Sequence, residues 1–539
     1  MRAWLACLLM PAAVLAQSGI VFRDAAKSAG LEFMLENHAT PRKHLVETMP
    51  GGVAVFDYDG DGLTDVFFTN GAAIPSLEKE SPKYWNRLFR NLGGMKFRGV
   101  TERAGLAGAG YSMGAAAADF DNDEHVDLFV AGVGRNFLYR NRGDGTFEEV
   151  TRKAGIRDEV WSIGAAWVDY DNDGLLDLFV ANYLRWSLDF DRFCGDAASG
   201  VRVYCHPRLF DGLSNTLYRN LGNGRFRDVS KESGIAAHTG KAMSVAVADY
   251  DLDGYADLFV TNDKIPNFLF HNRGDGTFEE VALWAGGALL DSGNPISSMG
   301  ADFRDYDNDG LPDILLCALS GETFPLFRNR GKGSFLDATY SGGLGPLSRD
   351  YSGWSIGLVD LNNDGWKDVF ASASHVNDIV ERFEATRYKM HNAVFANRGG
   401  GTFVDVSKGA GTDFLTPRAH RGCGFADFNN DGRIDVVVSS LGDAAELWEN
   451  LSAPENNWLR LKLTGTKSNR DGIGAVVRIG SQHNHMSTSV GYNSSSHAGV
   501  HFGLGKAERA EVIEISWPSG ARQILCDVSA RQVVAVREP

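Results

Sequence analysis

The chain has 539 residues, 43% hydrophobic and 23% charged, with a formal net charge of −16. That length exceeds one ordinary hydrophobic core and calls for two domains or a repeat array. The negative charge argues against a nucleic-acid partner or an anionic membrane surface, and 63 glycines against 15 prolines suit many tight turns rather than disorder.

Residues 1–16 read as a secretory signal. Arg2 opens it, an apolar run follows, and Val14 and Ala16 are the small residues at −3 and −1 for cleavage before Gln17. No later stretch is long and apolar enough to span a bilayer, so the expected location is extracellular or periplasmic.

A nine-residue acidic loop then occurs seven times. Its oxygen side chains stand at positions 1, 3, 5 and 9. They are Asp57, Asp59, Asp61 and Asp65 in loop 1, and Asp119, Asp121, Asp123 and Asp127 in loop 2. Loop 3 has Asp169, Asp171, Asp173 and Asp177, and loop 4 has Asp249, Asp251, Asp253 and Asp257. Loop 5 has Asp305, Asp307, Asp309 and Asp313. Loops 6 and 7 put Asn at position 3: Asp360, Asn362, Asp364 and Asp368, then Asp427, Asn429, Asp431 and Asp435. Ca²⁺ takes six to eight oxygens from a flexible loop, and alternate carboxylates with a Gly turn at position 6 supply them. An EF-hand would need Glu at position 12 and flanking helices. Here strand sequences such as Val66-Phe-Phe-Thr69 follow, so the loops join strands, and up to seven Ca²⁺ sites are expected. Loop 2 has Glu124 where Gly belongs, which demands a positive φ with a side chain.

Each loop is followed by an Asn-x-Leu-Phe/Tyr-x-Asn element, a Gly-rich hairpin ending in Phe, and a Val-Thr-x-x-Ala-Gly-like segment. The spacing, 62, 50, 80, 56, 55 and 67 residues from loop to loop, fits a four-stranded unit and predicts a propeller or solenoid. The Phe…Ala-Gly segment is missing after loop 7, but a copy stands before loop 1 at Phe22 to Gly30. A ring whose last blade borrows its strand from the N-terminus explains this, so the fold expected for residues 17–452 is all-β, a seven-bladed propeller.

The 80-residue gap holds Cys194 and Cys205, expected to form a local disulfide in an exported protein. Cys317, Cys423 and Cys526 are expected to be buried thiols. His375, His391, Arg418, His420 and Arg421 sit near the insertion of the sixth gap, and long insertions are where binding surfaces are built.

From Asn457 the pattern changes to alternating strands, predicting a separate small β domain over residues 457–537. Its motifs are Ser468-Asn-Arg-Asp-Gly-Ile-Gly-Ala475, Gly491-Tyr492, His501-Phe-Gly-Leu-Gly505 and Trp517-Pro-Ser-Gly520. These resemble the ASPIC/UnbV domain, and the acidic repeats resemble the FG-GAP/VCBS repeats of integrin-α-like propellers. Together they resemble the secreted cartilage-acidic-protein-like family over essentially residues 20–537. The resemblance implies extracellular, calcium-dependent binding or adhesion and no established catalytic activity.

Two enzyme-like signals have plainer readings. Gly110-Tyr-Ser-Met-Gly114 and Gly353-Trp-Ser-Ile-Gly357 fit a nucleophile elbow, but equivalent serines recur at Ser162 and Ser298 seven residues before a loop, as repeat residues do. His483, His485, His497 and His501 could suggest a transition-metal site and read better as exposed strand and loop histidines. The expected function is a secreted calcium-binding adhesion or interaction protein with an extracellular protein or glycan partner. The alternative is a propeller enzyme or sensor acting on a polysaccharide or small molecule at the channel mouth. Most Asp pairs are committed to the loops, which disfavours it.

Overall fold

The computed structural model describes residues 19–157, 159–190, 192–452 and 455–539. The expected signal at 1–16 lies outside them. Seven antiparallel sheets correspond to the seven repeats. In each, the acidic loop joins the innermost strand to the second strand, as between Ser112–Ala118 and Asp127–Gly132. The Asn-x-Leu-Phe/Tyr-x-Asn element is the third strand, for example Phe137–Asn141, and the Phe after the hairpin starts the fourth, Phe147–Glu149. Innermost strands pack side by side around an axis, and Val53–Phe56 of blade 1 lies between Ser112–Ala118 and His420–Ala426 of blade 7. The ring is closed.

Closure happens where the sequence placed the borrowed segment. Phe22–Asp24 pairs antiparallel with Glu446–Asn450, Phe22 opposite Asn450, and so completes blade 7. The short helix Ala26–Ala29 then ends on Gly30, at φ +79, where a Cβ would stand 2.9 Å from Phe97 O of blade 1. A left-handed glycine is needed twice over there, for the helix end and for the approach of the next blade.

The insertions meet on the face opposite the acidic loops. Tyr204, beside the Cys194–Cys205 disulfide, donates its hydroxyl to Glu47 Oε2 at 3.2 Å. Lys43 lies over the Tyr204 ring at 5.2 Å and pairs with Asp378 of the sixth-gap insertion. Of the remaining thiols, Cys317 and Cys423 are buried as expected, but Cys526 is exposed. It sits on Arg522–Ser529, the last strand of its sheet, with no neighbour beyond it.

The tail departs furthest from expectation, because it is not physically independent of the ring. Its two sheets pack on the loop face, and one apolar core runs from Phe120, Trp167 and Leu178 of blades 2 and 3 into Leu459, Leu461, Ile513 and Trp517. A hairpin, Ser489–Val490 and Ser494–Ser496, enters the axis and pairs in parallel with Val53–Phe56. The physical reason is the free edge that every innermost strand turns toward the axis, whose buried N–H and C=O groups need partners. The hairpin supplies them. Val53 N, Ala117 N and Phe425 N donate to the hydroxyls of Ser494, Ser495 and Ser496 at 3.2, 3.1 and 3.0 Å. Gly491 N donates to Ala301 O and Ala115 N to Asn493 O.

At the hairpin tip Tyr492 is fully buried. Its ring meets Trp354 edge-on at 4.9 Å, and its hydroxyl donates to Met49 O at 2.9 Å. Arg421 stacks on the other side of this group, 3.9 Å from the Trp354 ring. Deleting residues 17–34 is expected to uncover blade 7 and cause aggregation or a large loss of stability. Truncation before Asn457 should also destabilise the ring by baring its axial edges. Tyr492→Ala should cost about 3–5 kcal/mol, the range for a large buried aromatic. Melting curves of the three variants check this; a tail-less ring that melts with the full chain would contradict it.

Candidate cation loops

Within a loop the backbone already organises the carboxylates. Asp57 Oδ1 accepts from Asp61 N at 3.1 Å and its Oδ2 from Gly62 N at 2.9 Å, closing the turn around position 1. Asp61 Oδ1 in turn accepts from Leu63 N at 2.9 Å. The same contacts recur at Asp119, Asp249, Asp360 and Asp427. Glu124 takes φ +73, as the sequence required, and its carboxylate reaches to 3.5 Å from Arg470 of the tail. Loop 2 thus keeps its shape and gains a tail contact.

Position 9 is the buried end of each loop. Asp65, Asp127, Asp177, Asp257, Asp313, Asp368 and Asp435 are all fully buried. Each accepts the backbone N–H of the Asn that ends the third strand, from Asn91 to Asp65 through Asn450 to Asp435, at 2.7–2.9 Å. That Asn does more with its side chain. Asn141 Nδ2 donates to Val126 O in its own loop and to Tyr58 O, the position-2 carbonyl of the preceding blade. Asn220, Asn272, Asn329, Asn397 and Asn450 repeat this link, and Asn91 closes the circle onto Phe428 O of blade 7. The loops and the blade interfaces are therefore one hydrogen-bonded system.

Several carboxylate oxygens have no partner. Asp59, Asp121, Asp171, Asp251 and Asp307, all at position 3, each leave a buried Oδ1 without a hydrogen bond, as do Asp169 and Asp305 at position 1. Such atoms are costly unless something binds them. Ligand atoms of Asp119, Asp121 and Asp127 lie within 4.8 Å of one another, as do those of Asp169, Asp171 and Asp177 and of Asp249, Asp251 and Asp257. Burial, and behind it repulsion among the carboxylates, pushes Asp65 up to about 8 and Asp119 and Asp169 to about 7. These donors are hard oxygens around a gap, and a hard divalent cation fits them.

The sequence reading missed a cation contributed from outside the loop. In blades 1, 2, 3 and 5 the third strand carries Arg just before its final Asn. Arg90 stands 2.8 Å from Asp59 and 2.9 Å from Asp61, and Arg140 2.6 Å from Asp121 and 3.0 Å from Asp123. Arg219 and Arg328 make the same pairs. Blades 6 and 7 have Ala396 and Glu449 there, and these are the two whose loops carry Asn362 and Asn429 at position 3. Glu449 is itself paired with Arg23. In these two blades the strand gives no Arg and the loop has one carboxylate fewer, whereas blade 4, with His271 at that position, keeps all four Asp. The signal was in the sequence, one residue before each Asn, but its role needed the register.

Other candidate residues fall elsewhere. Ser112, Ser162 and Ser355 lie on innermost strands, and Ser355 Oγ accepts Tyr492 N at 3.0 Å. Gly114 of the elbow-like motif is required because a Cβ would meet Ile163 O at 2.5 Å. Contrary to the expectation of exposed histidines, the tail histidines are buried or half-buried. His483 and His485 are buried between tail and ring, His497 Nε2 stands 3.0 Å from Asp471, and His501 Nε2 stands 3.2 Å from Gly432 O. The His483 and His485 rings lie 6.5 Å apart, and neither ring nitrogen of His483 has a hydrogen-bond partner. Of the sixth-gap cluster, Arg418 and His420 pair with Glu446, Arg421 packs on Trp354, and His391 faces a groove.

The comparisons match this architecture. The FG-GAP-like repeat profile covers residues 57–130, 119–180, 209–260, 249–316, 305–371 and 378–438, and the ASPIC and UnbV profile covers 465–539. The chain belongs to the FG-GAP-like repeat family. Cartilage acidic protein 1 of Homo sapiens is 28% identical over 324 residues, 58% of this chain and 46% of that protein. Integrin alpha-11 of Homo sapiens is 29% identical over 208 residues, 36% of this chain and 16% of that protein. The FG-GAP chain thus spans about half, or less, of the curated relatives it matches. Among solved structures, an Agrocybe aegerita lectin specific for non-reducing terminal N-acetylglucosamine aligns with a TM-score of 0.39 and 15% identity, over 74% of this chain and 87% of its own. Among the described residues no helix is long and apolar enough to cross a membrane.

The Asn link and the raised carboxylates each make a prediction. Asn272→Ala strands Tyr170 O and Ala256 O and should cost about 1–3 kcal/mol per buried acceptor left unpaired, read as a fall in melting temperature. A native carboxylate with a raised pKa stabilises the fold below its unfolded value near 4 and ceases to as pH rises through its folded value. In chelator, stability should therefore fall as pH rises from about 4 to about 8. Saturating divalent cation should flatten that slope, which denaturant melts at each pH would measure.

Proposed function

We propose that the seven loops are Ca²⁺ sites and that the chain is an exported calcium-stabilised scaffold binding a protein or glycan partner. The ligands are the side chains at positions 1, 3, 5 and 9 of each loop, with Asn362 and Asn429 at position 3 of loops 6 and 7. The observation that carries the reading is the set of orphaned, buried carboxylate oxygens in loops 1–5, and loops 6 and 7 join it by the same turn contacts at Asp360 and Asp427. The loops pack against one another through the Asn links, so a cation in them acts on blade association and need not perform chemistry. Weak sites of this kind fill only where calcium is plentiful, and a disulfide also suits an oxidising compartment outside the cell.

The partner surface follows from what the tail covers. The tail lies over the loop face and Tyr492 fills the axis, which leaves a channel-mouth reaction without a mouth on that side. The opposite face carries the insertions, and a groove of about 790 Å³ opens there, lined by Tyr351, His391, Arg349, Arg387 and Glu384. An aromatic floor with mixed charge at the rim suits a polar ligand.

Melting should rise by several degrees in millimolar Ca²⁺ over chelator, and much less in Mg²⁺, which resists large flexible shells. Equilibrium dialysis counts the ions bound. A chain that retains no Ca²⁺ and melts identically in chelator would refute the reading. Capture on a glycan array or from an extracellular protein panel, lost in Arg387→Ala with Tyr351→Ala, tests the groove.

A further inference from the structure

Blade 4 differs from its sisters at the strand cation. Blades 1, 2, 3 and 5 place Arg beside positions 3 and 5, and blade 4 places His271 there. The exchange changes the chemistry. A guanidinium has no lone pair to give and can only neutralise carboxylates, whereas a neutral imidazole nitrogen is a metal ligand.

His271 Nδ1 points into loop 4, 3.3 Å from Asp257 Oδ1 and 3.6 Å from Asp251 Oδ2. Asp251, Asp253 and His271 offer three ligand atoms that all lie within 4.8 Å of one another. Asp251 Oδ1 is buried with no hydrogen-bond partner, and so is free to ligate. Two ligands on a tetrahedral metal with arms of about 2.0–2.1 Å stand about 3.4 Å apart. The separations around His271 match that edge. The edge-on Tyr250 ring at 5.9 Å closes one side of the imidazole and favours a fixed orientation.

We propose that loop 4 is a transition-metal site, with Zn²⁺ as its type ion, ligated by His271 Nδ1 together with Asp251, Asp253 and Asp257. This rests on the reading of the loops as cation sites and makes one of the seven selective for a different ion. Imidazole suits Zn²⁺ and its first-row neighbours, and all-oxygen cages suit Ca²⁺. Within one ring the six other loops serve as internal controls.

The test uses the full exported chain, stripped by chelator and returned to millimolar Ca²⁺. Titrated Co²⁺ should then bind with one equivalent, give the visible bands of a nitrogen-ligated low-coordinate site, and be displaced by Zn²⁺. His271→Arg installs the residue that four sister blades carry, so it should fold, keep its Ca²⁺-dependent melting shift and lose the Co²⁺ equivalent. No Co²⁺ bound in excess Ca²⁺, or an equivalent that survives His271→Arg, would overturn the proposal and leave His271 as an ion-pair partner replacing Arg. If Ca²⁺ itself fails to bind, the reading of all the loops falls with it.

Discussion

The structure turns on one contact made seven times: a fully buried position-9 carboxylate accepting the N–H of the Asn that ends the third strand. Burying a carboxylate costs several kcal/mol unless hydrogen bonds or a cation compensate. The Asn N–H offers part of that compensation, and the Asn side chain carries the constraint to the neighbouring blade. Loop geometry, strand register and ring closure are thereby coupled. A change at one loop is felt at an interface, and closure of blade 7 by the N-terminal strand matters as much as any internal blade.

The second constraint lies at the axis. Seven innermost strands present free edges to a narrow channel, and a ring of this size leaves those edges wet or finds something to pair them. Here the tail does so, with the Ser-rich hairpin and Tyr492 reaching through to Met49. The loop face and the axis are both spent on holding the molecule together. On the insertion face the disulfide, Lys43, Tyr204 and the sixth-gap segment tie three irregular stretches into one surface.

Much of this was legible in the sequence because it is local or repeated. Seven acidic loops, the displaced copy at Phe22 to Gly30, the Cys194–Cys205 pair and the strained turn at Glu124 are patterns of short range, and each appears in the structure. The tail was misread as independent because its alternating strands announce a β domain but say nothing of what lies under it. The same gap hid the burial of His483 and His485, which comes from the ring, and the exposure of Cys526, which comes from being on an edge strand. The balance between strand Arg and loop Asn was visible letter by letter, yet only the register showed that Ala396 and Glu449 stand where Arg90 stands in blade 1.

A cation that relieves the buried carboxylates would also secure the Asn contacts between blades. Hydrogen exchange measures this most directly, at the amides of Asn91, Asn141, Asn220, Asn272, Asn329, Asn397 and Asn450, in Ca²⁺ and after chelation. Protection at these amides should fall together when the cation is removed, ahead of amides in the middle of the second strands. Equal protection with and without Ca²⁺ would show that the carboxylates are held by the protein alone, and would contradict this coupling.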